Sequence, residues 1–150
     1  MDVLCPYNGV KGSGRMANLL IVSHGNLAKE MTATARMIMG DFEGVHVLGL
    51  QADDHIETFY EKIKKECEQA SEGLLILTDL AGGSPFIQAS RCYYDMFERK
   101  TIEVVTGTNL AIVIECISQR AYKNVHELKE LALSVGAGSI KSFEINKEVK

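Results

Sequence analysis

Four short apolar runs, each closed by a polar or glycine-rich turn and followed by helical periodicity, constrain this chain more than any other feature. They are Asn18 to Ser23, Val45 to Leu50, Leu74 to Thr78 and Ile102 to Thr106. Short runs of Leu, Ile and Val between breakers have the pattern of strands buried on both faces. Between them, apolar residues recur every three or four positions. Leu27, Met31, Ala35 and Ile38 mark one helix, ended by Gly40, and Asn26 is placed to cap it. Ile56, Phe59, Tyr60, Ile63 and Cys67 mark a second, for which Asp54 and Glu57 have the form of a capping box. Ser84 as cap and Pro85 at the first helical position open a third. Gly107 to Asn109 reads as a turn before a short helix from Leu110 to Gln119. Asn124 and Glu127 cap a last helix through Leu128, Leu131 and Val135, which Gly136-Ala137-Gly138 breaks, and Ile140 to Ile145 reads as one more strand. Strands alternating with helices at this rhythm predict right-handed βαβ units. The fold class is α/β: an open three-layer sandwich around a mainly parallel sheet of four strands, with the C-terminal strand added.

A chain of 150 residues suits one domain with a core of ordinary size. Its net charge of −4 and the lack of a basic stripe argue against nucleic acid as a partner. No apolar run approaches the roughly twenty residues needed to span a bilayer, and no basic patch followed by an apolar block marks a signal peptide. The four cysteines, Cys5, Cys67, Cys92 and Cys116, include no C-x-x-C pair. Three of them fall on apolar helix faces, so free buried thiols in a cytoplasmic protein are expected. Residues 1–15, rich in glycine and carrying Pro6, read as a flexible N-terminal extension or tag, and residues 16–150 as the single domain.

Open parallel sheets bind ligands at the carboxyl ends of their strands, near the point where strand order reverses. Three strand ends here are polar or glycine-rich: Ser23-His24-Gly25, Thr78-Asp79 through Ser84, and Gly107-Thr108-Asn109. The second strand ends in the less distinctive Leu50-Gln51-Ala52. His24 and Asp79 are thereby expected on one rim. No metal and no cofactor are expected there, because His46, His55 and His126 have no ligand spacing to His24. A Ser84-His24-Asp79 hydrolase fails on its oxyanion hole. Phe86 stands where the nucleophile elbow needs its last glycine, and Pro85, the residue after the serine, has no N–H to donate. Gly82-Gly83-Ser84 lets backbone approach an anion, the following helix presents N–H groups, and Ser84 adds a hydroxyl. There is no Walker or kinase loop for a nucleotide. A phosphoryl group beside a histidine fits, since a neutral imidazole accepts phosphoryl directly and a carboxylate at its other nitrogen fixes which nitrogen attacks. Asp79 is the candidate carboxylate, and helix-start chemistry is the plain alternative for Gly-Gly-Ser-Pro.

In Leu19 to Gly25, Leu77 to Phe86 and Gly107 to Leu110 the chain resembles the IIA component of the mannose family of the bacterial phosphoenolpyruvate:sugar phosphotransferase system. The resemblance runs from about Asn18 to Phe143, and its specificity lies in combining His-Gly after the first strand with Asp-x-x-Gly-Gly-Ser-Pro-Phe. It implies a phosphotransferase in which His24 takes phosphoryl from the phosphocarrier protein HPr, as a phosphohistidine, and passes it to a IIB component during sugar uptake. Asp79 then pairs with the active histidine and the Ser84 hydroxyl lies near the phosphate. Gly25, Gly82 and Gly83 are the candidate phosphate-binding backbone, while Asn109 either closes the pocket or shapes its turn. The resemblance also implies a homodimer, with Ser139 to Ile145 supplying the strand added to the partner's sheet. The IIB component is expected on a separate chain, and membrane IIC and IID components are contacted only indirectly. Ile87, where the family often has Asn, and Leu80-Ala81, without an aromatic, border the site and bear on which sugar is served. Two other readings stand beside this one: the related phosphotransfer subunit of dihydroxyacetone kinase, and a phosphorylation-sensing module without turnover.

Overall fold

The computed structural model describes residues 16–145. The expected N-terminal extension, with Cys5, lies outside them. In chain order the elements are β1 (Asn18–His24), α1 (Leu27–Met39), β2 (Val45–Leu50), α2 (Ile56–Gln69), β3 (Leu74–Thr78), α3 (Ser84–Met96), β4 (Ile102–Thr106), α4 (Leu110–Gln119) and α5 (Val125–Ser139). The strands form one sheet in the order β2-β1-β3-β4, and every pairing is parallel. Val22 stands opposite Thr78, and His24 opposite Leu50.

Strand alternation divides the core in two. Leu19 and Ile21 of β1, with Leu75 and Leu77 of β3, pack against Ala28 and Ala35 of α1, Val113 and Cys116 of α4, and Leu128 and Ala132 of α5. On the other face Leu20, Val22, Leu74 and Ile76 meet Phe59, Ile63 and Cys67 of α2 and Ala89, Cys92 and Met96 of α3. The expected three-layer sandwich is therefore present, with Cys67, Cys92 and Cys116 free and buried. Among the described residues no helix is long and apolar enough to cross a membrane.

Several local expectations are corrected. Gly136 to Gly138 do not break the last helix, which continues to Ser139. Each glycine there costs a helix up to about 1 kcal/mol, but Gly136 lies so close to α4 that an added Cβ would stand 3.0 Å from Ile112 Cδ1. Close helix packing, not termination, explains it. Among the described residues the segment after α5 forms no strand: Ile140, Phe143 and Ile145 are exposed, and β4 is the last strand of the sheet.

The starts of the first three helices also differ. Asn26 occupies the cap position of α1 but makes no capping bond; Ser23 Oγ accepts from the Ala28 N–H instead, at 2.8 Å. Asp54 accepts from the Gln51 N–H at 2.9 Å, closing the β2–α2 turn, so α2 starts at Ile56 after an uncapped His55. Glu57 is drawn across to Arg91 of α3. Ser84 is the first helical residue of α3, and Gly83 holds the cap position. The Asn124–Glu127 capping box of α5 forms as expected.

Candidate active site

From β1 the chain crosses over to β2 on one side, while β3 lies on the other, so the reversal of strand order falls between β1 and β3. His24 is the last residue of β1 and Asp79 the first after β3. By alternation His24 shares the face of Leu20 and Val22, the face covered by α2 and α3.

Asp79 Oδ2 accepts from the His24 backbone N–H at 2.9 Å and lies 2.9 Å from Nδ1 of the same residue. Its other oxygen accepts from the Leu80 N–H at 2.8 Å. An ionised carboxylate only accepts, so Nδ1 carries a proton, and in the neutral ring the lone pair is then on Nε2. Burial alone would raise the Asp79 carboxyl. The His24 N–H, the bond to the His24 ring and the Leu80 N–H outweigh it and hold the group below its ordinary value. The His24 side chain is 47% exposed and that of Asp79 12%, so another molecule can reach the ring but not the carboxylate behind it.

Two glycines leave room for this geometry. Gly25 has φ of 53° and donates its N–H to Leu50 O at 2.8 Å, turning the chain sharply after the histidine. Gly49 lies beneath that turn, where an added Cβ would stand 2.1 Å from Gly25 O. Asn26 Oδ1, not needed as a cap, accepts from Gln51 Nε2 at 3.3 Å and links the loops after β1 and β2.

Gly82, with φ of 76°, turns the β3–α3 loop back, and the Gly83 N–H bonds Leu80 O at 3.0 Å. A Cβ on Gly83 would stand 2.7 Å from His24 Cε1 and 3.4 Å from Nε2. The Nε2 edge of the ring therefore lies against the N-terminus of α3. The first intrahelical bond there runs from Ile87 N to Gly83 O, so the N–H groups of Ser84 and Phe86 precede the helical ladder, and Pro85 has none. Ser84 is half-buried at this helix start. An imidazole with a free Nε2 facing helical N–H groups can receive an anionic electrophile.

On the opposite side of His24 a cleft of about 640 Å³ opens, walled by Gly25, Leu50, Gln51, Ala52, Asp54 and Ile56. In the sequence this strand end stands out only as the less distinctive Leu50-Gln51-Ala52, although Gly49 followed by Gln51 and Asp54 is an available signal. Asn109 is used at the next turn: Oδ1 accepts from the Ile112 N–H at 3.0 Å, and Nδ2 donates to Ser139 Oγ at 2.9 Å. These contacts cap α4 and tie its start to the end of α5. Among the described residues no group of three or more His, Cys, Asp or Glu could hold a metal ion.

A doubly wound sheet thus carries a histidine held by a carboxylate at its switch point, facing a glycine-rich helix start. Residues 18–133 match the family EIIA-man, described as PTS system fructose IIA component, and the chain belongs to that family. It is 30% identical over 129 residues to the PTS system mannose-specific EIIAB component of Escherichia coli (strain K12), a match covering 84% of this chain and 39% of that protein. The chain thus spans well under half the length of the curated relatives it matches. Phosphotransferase system component EIIA from Streptococcus agalactiae superposes with a TM-score of 0.79 at 26% identity, covering 85% of this chain and 97% of that one. The mannose/sorbose specific IIA subunit from Enterococcus faecalis gives 0.78 at 26% identity, over 90% of this chain and 100% of that one.

Proposed function

We propose that this chain is a cytoplasmic phosphoryl carrier that takes phosphoryl onto His24 Nε2 from phospho-HPr and donates it to a IIB component on a separate chain. The observation that carries the reading is the 2.9 Å contact of Nδ1 with Asp79, which leaves Nε2 as the nucleophile at the mouth of α3. The Nε2 lone pair forms the new N–P bond as the donor's N–P bond breaks and its electron pair returns to the donor nitrogen. The phosphorylated ring keeps the Nδ1 proton and becomes cationic, and the Asp79 carboxylate balances that charge. The Ser84 and Phe86 N–H groups and the Ser84 hydroxyl meet the phosphoryl oxygens, while Gly25, Gly82 and Gly83 keep the approach open. Donation reverses the step: the acceptor's nucleophile bonds phosphorus, and the Nε2–P electron pair returns to the ring.

A homodimer in which Ser139 to Ile145 adds to the partner's sheet agrees with the exposure of Ile140, Phe143 and Ile145. The membrane components of such a system are reached only through IIB. The test is incubation with labelled phosphoenolpyruvate, enzyme I and HPr. Acid-labile label is expected on the wild type and none on His24→Ala. Undiminished labelling of that variant would remove the assignment.

A further inference from the structure

Gln88 is only 8% exposed, and its Oε1 is buried with no hydrogen-bond partner. A buried amide in that state lowers stability without return unless some functional state gives it a partner. Its place on α3 indicates which one. Gln88 lies three residues before Arg91, which reaches Glu57 of α2, and four before Cys92, which is buried in the core against the sheet. It therefore occupies the angle between α2 and the sheet, on the flank of α3 turned toward β1, the strand that ends in His24. A helical glutamine extends back over the preceding turn. Here that turn begins at Gly83 and Ser84, against which the Nε2 edge of His24 lies.

The phosphoryl group needs donors at this point, and the backbone is short of them. Pro85 removes the middle N–H of the first turn. The cation next along the helix, Arg91, is already engaged by the Glu57 carboxylate and stacked 3.8 Å over the Tyr60 ring. A half-turn of the Gln88 amide exchanges its oxygen for its NH₂ group.

We propose that Gln88 is a further phosphoryl ligand of this site, its side-chain NH₂ donating to an oxygen of the phosphoryl group on His24 Nε2. The proposal rests on the phosphoryl-carrier reading, and the experiment separates the two. Wild type, Gln88→Leu and Gln88→Met are loaded with phosphoramidate, a small N-phosphoryl donor, and the phosphohistidine is followed by ³¹P NMR as pH is varied. Removing the donor should move the phosphoryl ionisation to higher pH in both variants. In exchange with phospho-HPr it should also shift the equilibrium away from His24 by about tenfold. Both variants should melt no lower than wild type, because an apolar side chain replaces an unpartnered amide. Wild type that takes no phosphoryl overturns both readings. Wild type that loads normally, with variants of unchanged ³¹P midpoint and unchanged equilibrium, overturns the Gln88 proposal alone.

Discussion

One oxygen of Asp79 contacts His24 twice, accepting from its backbone N–H and from its ring Nδ1, each at 2.9 Å. Strand end and imidazole are thus fixed by one carboxylate. That group sets where β1 stops, how the ring is turned, and which nitrogen is free.

Asp79→Asn keeps the shape but loses the charge that balances a phosphorylated ring. Stopped-flow transfer from phospho-HPr should slow on the order of 10²- to 10⁴-fold. The pH dependence of stability follows from the direction of the Asp79 shift, which is downward. Between the lowered folded value and the ordinary value near 3.9, the unfolded chain binds more protons, so stability rises with pH there. The advantage of wild type over Asp79→Asn should be full above about pH 5 and should shrink as acid takes the pH below about 4. Urea titrations across this range would show it; a constant difference would mean that the carboxylate is not held down in the fold.

Gly83→Ala separates the site from the fold. The new Cβ would press on His24 Cε1 from 2.7 Å, and the ring, the movable and half-exposed end of its side chain, can give way. Stability should change by less than about 1 kcal/mol, while phosphoryl acceptance falls by roughly tenfold or more. A variant that labels at the wild-type rate would show that the ring does not need its place at the mouth of α3.

Gly49→Ala should act on the fold itself. Its Cβ would meet the backbone oxygen of Gly25 at 2.1 Å, and no rotamer relieves a contact between backbone atoms. A loss of roughly 3 kcal/mol is expected, with a lowered Tm and an unchanged denaturant slope. Retained stability would mean that the β1–α1 turn is loose enough to move aside.

The layer order and the rim of the site were legible in the residues. Runs such as Leu74 to Thr78 are short, apolar and bounded by breakers, the pattern of buried strands, and His24 and Asp79 each follow such a run directly. Helix starts were less legible, because Asn26, Asp54 and Ser84 are all good caps by type while the bonds they make depend on which loop lies next to them. Ser23 caps α1 from within a strand, and Asn26 is turned to Gln51 across the neighbouring loop. Gly136 likewise looks like a stop signal until α4 is seen to need the space.

By itself, then, the order of residues determined that four buried strands would alternate with helices and carry a histidine and an aspartate to the same end of the sheet. Local periodicity and breakers settle that much, since each depends only on near neighbours along the chain. Only the tertiary structure decided that the two meet through Nδ1, that Nε2 faces α3, that Gly49 makes room for the turn, and that Gln88 Oε1 is buried without a hydrogen-bond partner. Those relations join residues tens of positions apart, and they exist only once the parallel register has placed the strand ends side by side.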